Sequence, residues 1–156
     1  MVDWRRQAAE GRLQKGTTIE FSRTFSQDEL LAFGRLTRDY NPVHYEPRWH
    51  QAKGFDAPIC HGLLVGSMIC EPGGQLGWLA TGMSFRFLKP VFVGDNITCR
   101  FKILEIDERH FARAECSLTN QDGELVVSGD LQGFLPTPEE QELLATMLER
   151  QPPATQ

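Results

Sequence analysis

The chain has 156 residues, of which 40% are hydrophobic and 24% charged, and a formal net charge of −5. That length suits one domain with its own core. The acidic balance does not supply the basic surface that general nucleic-acid binding needs, and no apolar run approaches the ~20 residues that span a membrane. The opening stretch MVDWRRQAAEGRLQKG is charged and lacks the apolar centre of a signal peptide, so a cytoplasmic protein is expected. Cys60, Cys70, Cys99 and Cys116 form no C-x-x-C pair, which leaves neither a zinc nor a redox motif. All four are expected as reduced core residues.

Residues 1–16 are polar and predict a flexible N-terminal segment. Thr17 to Thr24 alternates as an entry strand. Ser26 and Glu29 then form an S-x-x-E capping box, with Phe25 and Leu30 as its hydrophobic staple. Leu30, Leu31, Phe33 and Leu36 give the following helix an apolar stripe. It should end near Thr37 or Arg38, because the residue before Pro42 avoids the helical region. Asp39 to His44 is thus a loop at a helix end, followed by a short helix over 46–54 closed by Gly54. His61 to Glu71 is apolar almost all round, and such a helix must be buried. Gly62 and Gly66 let another backbone come close on one face, and Pro72-Gly73-Gly74 is expected to stop the helix.

The remainder reads as antiparallel strands of period two. Met83, Phe85 and Phe87 form the first apolar face. Ile97, Cys99, Phe101 and Ile103 form the next, after a turn from Pro90 to Asp95. Ala112, Ala114, Cys116 and Leu118 pair across the Asp122-Gly123 hairpin with Leu125, Val127, Gly129 and Leu131. Thr137, Pro138 and Glu140 start a helix through Arg150, and residues 151–156 read as a disordered tail. Four half-buried strands after one wholly buried helix predict an α+β domain over 17–150. In it the antiparallel sheet curls around the helix.

Asp39 and His44 stand five apart in a loop stiffened by Asn41-Pro42. A carboxylate and an imidazole held together can share a water and move protons. The same spacing is also met by a helix-ending aspartate and a surface histidine. Ser67, mid-helix, either bonds the carbonyl a turn back or orients a neighbour. At the start of the buried helix, the N–H groups near Gly62 carry the positive end of a dipole. They are suited to an oxygen that gains negative charge. His61 reads as a helix-start residue bonded locally, and His50 and His110 as surface residues. Trp49, Trp78 and Phe85 read as core. Lys89, Arg86, Arg100 and Lys102 read as solvated strand charges. No set of His, Asp and Glu has convincing metal spacing.

The run Leu36 to His44, the segment Pro58 to Ser67 with its H-G-x-x-x-x-S element, Ser84 to Phe87, and Pro90 to Asp95 stand in one order across residues 20–135. Together they resemble the MaoC-like dehydratases and R-specific enoyl-CoA hydratases. The resemblance implies a hot-dog fold and a homodimer or dimer of dimers. It implies reversible syn addition of water to a trans-2-enoyl-CoA or enoyl-acyl-carrier-protein thioester, giving an (R)-3-hydroxyacyl thioester. Asp39 and His44 would hold the water and move its proton. Ser67 would support Asp39 by a hydrogen bond, and the Gly62 N–H would stabilise the enolate oxygen. Coenzyme A or acyl carrier protein would belong to the substrate, with no metal and no redox cofactor. The early Pro72-Gly73-Gly74 stop departs from the family and predicts a shortened pocket for a short or unusual acyl chain. The competing readings are a hot-dog acyl-CoA thioesterase, with Glu71 as its helix acid, and a non-catalytic acyl-thioester-binding protein.

Overall fold

The computed structural model describes residues 2–150; the tail over 151–156 lies outside them. Five antiparallel strands form one open sheet in the order β1-β3-β4-β5-β2. They are β1 (Thr18–Thr24), β2 (Leu79–Phe87), β3 (Asn96–Ile106), β4 (Phe111–Thr119) and β5 (Leu125–Phe134). Alternation decides which face each strand buries. The registers align Phe101, Cys116, Gly129 and Phe85 in one cross-strand row. The row beside it holds Cys99, Leu118, Val127 and Phe87. A Cβ at Gly129 would lie 2.9 Å from both Cys116 Sγ and the Phe85 ring. Glycine is what lets Phe85 lie across its neighbour strand.

Against that face runs the helical segment predicted to fill the core. It begins as α4 (Gly62–Gly66), tightens into a 3-10 turn over Ser67–Ile69, and resumes as α5 (Cys70–Leu76). Leu64, Val65, Met68, Ile69 and Leu76 are buried in one cluster with Ile97, Phe101 and Leu118. The expected stop at Pro72-Gly73-Gly74 does not occur. Pro72 falls in the first turn of α5, where a missing N–H costs little. The helix ends only at Gly77, which takes the left-handed conformation with φ +66°. The premise for a shortened acyl pocket is therefore absent.

Three more expectations need correction. The helix is not apolar-buried all round: Leu63 is 61% exposed, and Cys70 is an exposed thiol while the other three cysteines are buried. On β2 the apolar face is only half covered, with Met83 at 50% and Phe87 at 52% exposure. This strand is a sheet edge, so period two marks its apolar side correctly, but α4 covers only part of it, through Gly62 against Phe87 and Gly66 against Phe85. Residues 4–9 are not loose: they form α1 (Trp4–Ala9), capped by Asp3, with Ala8 buried. The helix packs against α5 and α6 (Pro138–Arg150). The polar count hid the apolar side of a two-turn helix.

The helix that leads to the site is α2 (Gln27–Thr37). Both halves of its capping box are made, Ser26 with Glu29, and Phe25 and Leu30 are fully buried beneath it. Ser26 and Arg23 hold the Glu29 carboxyl down to about 2.

Helical continuity through residues 70–76 has a direct test. No atom stands within 4 Å of a Cβ built at Gly74, and glycine inside a helix costs about 1 kcal/mol relative to alanine. Gly74→Ala should therefore raise the melting temperature by roughly 2–4 °C. A fall would mean that the chain turns there, as the dipeptide suggests.

Candidate active site

Two loops build the site. The first leaves α2 through Arg38, which has φ +59° and ψ +27°. Only glycine adopts this left-handed region freely. The turn aims the next residue, Asp39, back toward the helix it has just left. Asn41 donates its N–H to Asp39 Oδ1 at 3.2 Å and accepts the Val43 N–H on its own Oδ1 at 3.2 Å. This caps a 3-10 turn over Pro42–His44. The second loop is pinned to the β2–β3 connection by the Cys60 N–H on the Val91 carbonyl at 2.7 Å. It delivers Ile59, His61 and the start of α4.

The loops meet at His44, which is 6% exposed. His44 is not the surface residue that the simpler reading of its spacing allows. Its Nδ1–H donates to the Ile59 carbonyl at 2.7 Å, because a carbonyl can only accept. Nε2 of the neutral ring is left as a lone pair, 3.9 Å from Asp39 Oδ2. That is too long for a direct hydrogen bond, yet one oxygen at ~2.8 Å can touch both groups. The Asp39 side chain is 49% exposed, so the pair has one wet member and one dry one.

His61 completes the cluster, and sequence reading understated it. It is 2% exposed and stacks on His44 with ring centroids 3.8 Å apart at 27°. Its Nε2 lies 3.2 Å from the Asp39 carbonyl and 3.1 Å from the Tyr45 hydroxyl. Tyr45 itself donates to the same carbonyl at 3.0 Å. Its hydroxyl reaches there because residue 34 is glycine: a Cβ at Gly34 would lie 1.8 Å from it. Nothing in the spacing of Gly34, Tyr45 and His61 signals this meeting. The apolar-helix pattern starts at His61 but says nothing of where its ring points.

Asp39, His44 and His61 also form a group whose donor atoms lie within 4.8 Å of one another, a clustering the sequence expectation of no metal spacing missed. Two of the ring nitrogens already have partners, His44 Nδ1 on the Ile59 carbonyl and His61 Nε2 on the Asp39 carbonyl.

The three residues open on a cavity of about 610 Å³ shared with Gly62, Leu63, Phe87 and Leu88. Cys60 lines it too, but burial pushes its thiol up to about 12, so it is no nucleophile at neutral pH. Lys89 stands at the same cavity, 2.5 Å from Glu124. Arg86, Arg100 and Lys102 line a separate hollow with Ser117 and Ser128. Ser67 takes the first of its two readings: its hydroxyl donates to the Leu64 carbonyl in the preceding turn at 2.6 Å, and the bond to Asp39 that the resemblance implied is not made. His50 is buried at 3%, and Trp49 is 47% exposed, the reverse of both readings.

Residues 9–123 match the MaoC like domain. The (R)-specific enoyl-CoA hydratase of Aeromonas caviae is 32% identical over 129 residues, covering 80% of this chain and 96% of that protein. A mitochondrial 3-hydroxyacyl-[acyl-carrier-protein] dehydratase of Solanum lycopersicum is 27% identical, covering 83% and 82%. The solved structure of the A. caviae (R)-hydratase superposes with a TM-score of 0.74 at 33% identity, over 80% of this chain and 98% of that one. The chain belongs to the MaoC-like family, and its sheet and helix are those of the hot-dog fold.

Burial pushes the His61 imidazole below its ordinary 6.5; the bond to the Asp39 carbonyl opposes this and the neighbouring His44 reinforces it. Between the folded value and 6.5 the unfolded chain binds more protons, so stability rises with pH there. The contribution is whole above 6.5 and is lost as pH falls below it. Chemical denaturation across pH 5 to 7.5 should show that slope, and His61→Gln should flatten it. An unchanged slope in the variant would refute the assignment.

Proposed function

We infer that this chain is an acyl-thioester hydratase/dehydratase, a hydro-lyase acting reversibly on a trans-2-enoyl thioester and its (R)-3-hydroxyacyl counterpart. The observation that carries the reading is the approach of Asp39 Oδ2 and His44 Nε2 to 3.9 Å at the wall of an apolar cavity. In the hydration direction, one water bridges the two groups and adds its oxygen to C3 of the enoyl thioester. Asp39 and His44 divide the two proton transfers, one taking the water's proton and the other supplying a proton to C2. Both act on the same face, which gives syn addition. The Ile59 carbonyl fixes the imidazole in the tautomer whose Nε2 faces the substrate. The thioester oxygen gains charge as the enolate forms, and the Gly62 N–H at the start of α4 is suited to receive it. Asn41 holds the loop that carries the pair. Ser67 acts through the helix backbone rather than on Asp39.

Coenzyme A or acyl carrier protein is proposed as the thioester's carrier, with no metal or redox cofactor. The thioesterase reading loses support because Glu71 is exposed and does not line the cavity. A homodimer is proposed because β2 leaves Leu79, Met83 and Phe87 exposed along a sheet edge, and such edges pair unless covered. Among the described residues no helix is long and apolar enough to cross a membrane. The four free cysteines fit a reducing compartment, and the cytoplasm is proposed on that ground.

Hydration is read by loss of the enone absorbance. Asp39→Asn and His44→Gln should each lower the rate by ~10²–10⁴, and the double variant should lose little more, since both act on one water. Near-wild-type turnover by either would defeat the mechanism. Release of free thiol instead of loss of the enone would favour the thioesterase, and acyl-CoA binding without turnover the non-catalytic binder. Light scattering should give twice the chain mass of 17.7 kDa; a stable monomer at micromolar concentration would overturn the dimer.

A further inference from the structure

The Asp39–His44 pair has a third partner that the proposed chemistry leaves unused. We propose that His61 is a positioning residue for the pair, an imidazole held in one tautomer that grips the Asp39 main chain with its edge and supports the His44 ring with its face. The proposal rests on the functional reading of Asp39 and His44.

The edge comes first. The Asp39 carbonyl and the Tyr45 oxygen both lie within reach of His61 Nε2, and the Tyr45 hydrogen is already directed at that carbonyl. Both contacts need the proton on Nε2. Nδ1 is then bare, and it is buried with no hydrogen-bond partner. The Asp39 backbone is thereby held at two points directly after the strained Arg38 turn. The main chain that carries the carboxylate cannot shift without breaking both, and the Asn41 N–H holds the carboxylate's own Oδ1.

The face comes second. The Nδ1–H bond to Ile59 fixes the His44 ring only within its own plane. A ring stacked at 3.8 Å removes the remaining freedom, which is tilt about that bond. The Phe33 ring at 5.3 Å backs His61 in turn.

The arrangement also bears on protonation. A second proton on His61 would sit on Nδ1, where no acceptor stands, in a ring pressed against His44. The ionisable groups facing His61 are Asp39, His44 and Tyr45, reached from α2's exit loop and the 3-10 turn. Only Asp39 favours its charge, and it does so less than burial opposes it. A second proton on His61 is thus opposed by both burial and geometry, while His44 lines the substrate cavity beside it.

The test uses the whole chain, ¹⁵N-labelled at histidine. The chain has four histidines, so single substitutions assign the spectrum. In the wild type, neutral His61 should carry its proton on Nε2 and titrate below its ordinary 6.5, and neutral His44 should carry its proton on Nδ1. Titration of His61 at or above 6.5, or a neutral form with the proton on its Nδ1, would overturn the proposal without any variant being made. With crotonyl-CoA, or the enoyl-CoA chain length hydrated fastest, His61→Phe keeps a flat ring but loses the N–H. It should lower kcat by about 10- to 100-fold and leave KM within about threefold. It should also move the acid limb of the kcat–pH profile. Tyr45→Phe should cost less, because His61 still holds the carbonyl. Unchanged kcat and pH profile in a folded His61→Phe protein would overturn the proposal. A wild-type chain inert toward every enoyl-CoA and enoyl-carrier thioester would defeat the functional reading instead, while the tautomer spectrum still judges the positioning role.

Discussion

One hydrogen bond ties the site together: the donation from buried His44 to the Ile59 carbonyl, between residues 15 apart in the chain. It joins the loop leaving α2 to the loop entering α4. The first loop takes its position from a capped surface helix. The second takes its position from the connection between β2 and β3, through Cys60 on Val91. Without the bond, Asp39 would belong to the helix alone and the start of α4 to that connection alone. The bond matters because His44 is buried, where an unpaired imidazole N–H would be expensive. It also selects the tautomer, so a packing constraint and a chemical one are met by the same proton.

Around that bond the rigidity is graded. Asp39 reaches into a wet mouth, while His44 and His61 lie almost without solvent. A proton carrier that must exchange with water and one that must keep its orientation thus occupy opposite ends of a short cluster. The sheet contributes by staying out of the chemistry. Its inner rows pack against the helix, and only Phe87 and Val127 among the residues of β2 and β5 reach the cavity wall.

Much of this was legible in the residues. Period-two alternation marked β3, β4 and β5 most clearly, because each buries one face. The capping box and staple located the start of α2, because orphan N–H groups need acceptors. Asp39 and His44 were visible once the motifs stood in order. Some of it stayed hidden. Arg38 adopts a glycine-like conformation without being glycine, and the cost is met by contacts on either side. Pro72-Gly73-Gly74 reads locally as a stop, but the preceding 3-10 turn puts Pro72 where a helix tolerates it. His61 looks like an ordinary helix-start residue until Phe33, His44 and Tyr45 arrive from another segment. Ser67 shows the reverse: the local rule had its hydroxyl on a carbonyl of its own helix, as found, and the motif's partner across the site was not taken. Local rules report on local energies, and His61 above all is settled by neighbours distant in the chain.

The slot at Gly34 carries a consequence of another kind. A single hydrogen atom at that position is what admits the Tyr45 hydroxyl, so the two positions form a lock and its key. A methyl group at 34 becomes tolerable only when the ring at 45 shrinks or retreats, and a smaller residue at 45 leaves a void unless 34 grows. Across variants of this chain the two sites are therefore not free to drift separately: they should change as a couple or not at all, and a substitution that looks harmless on either one is judged by the other.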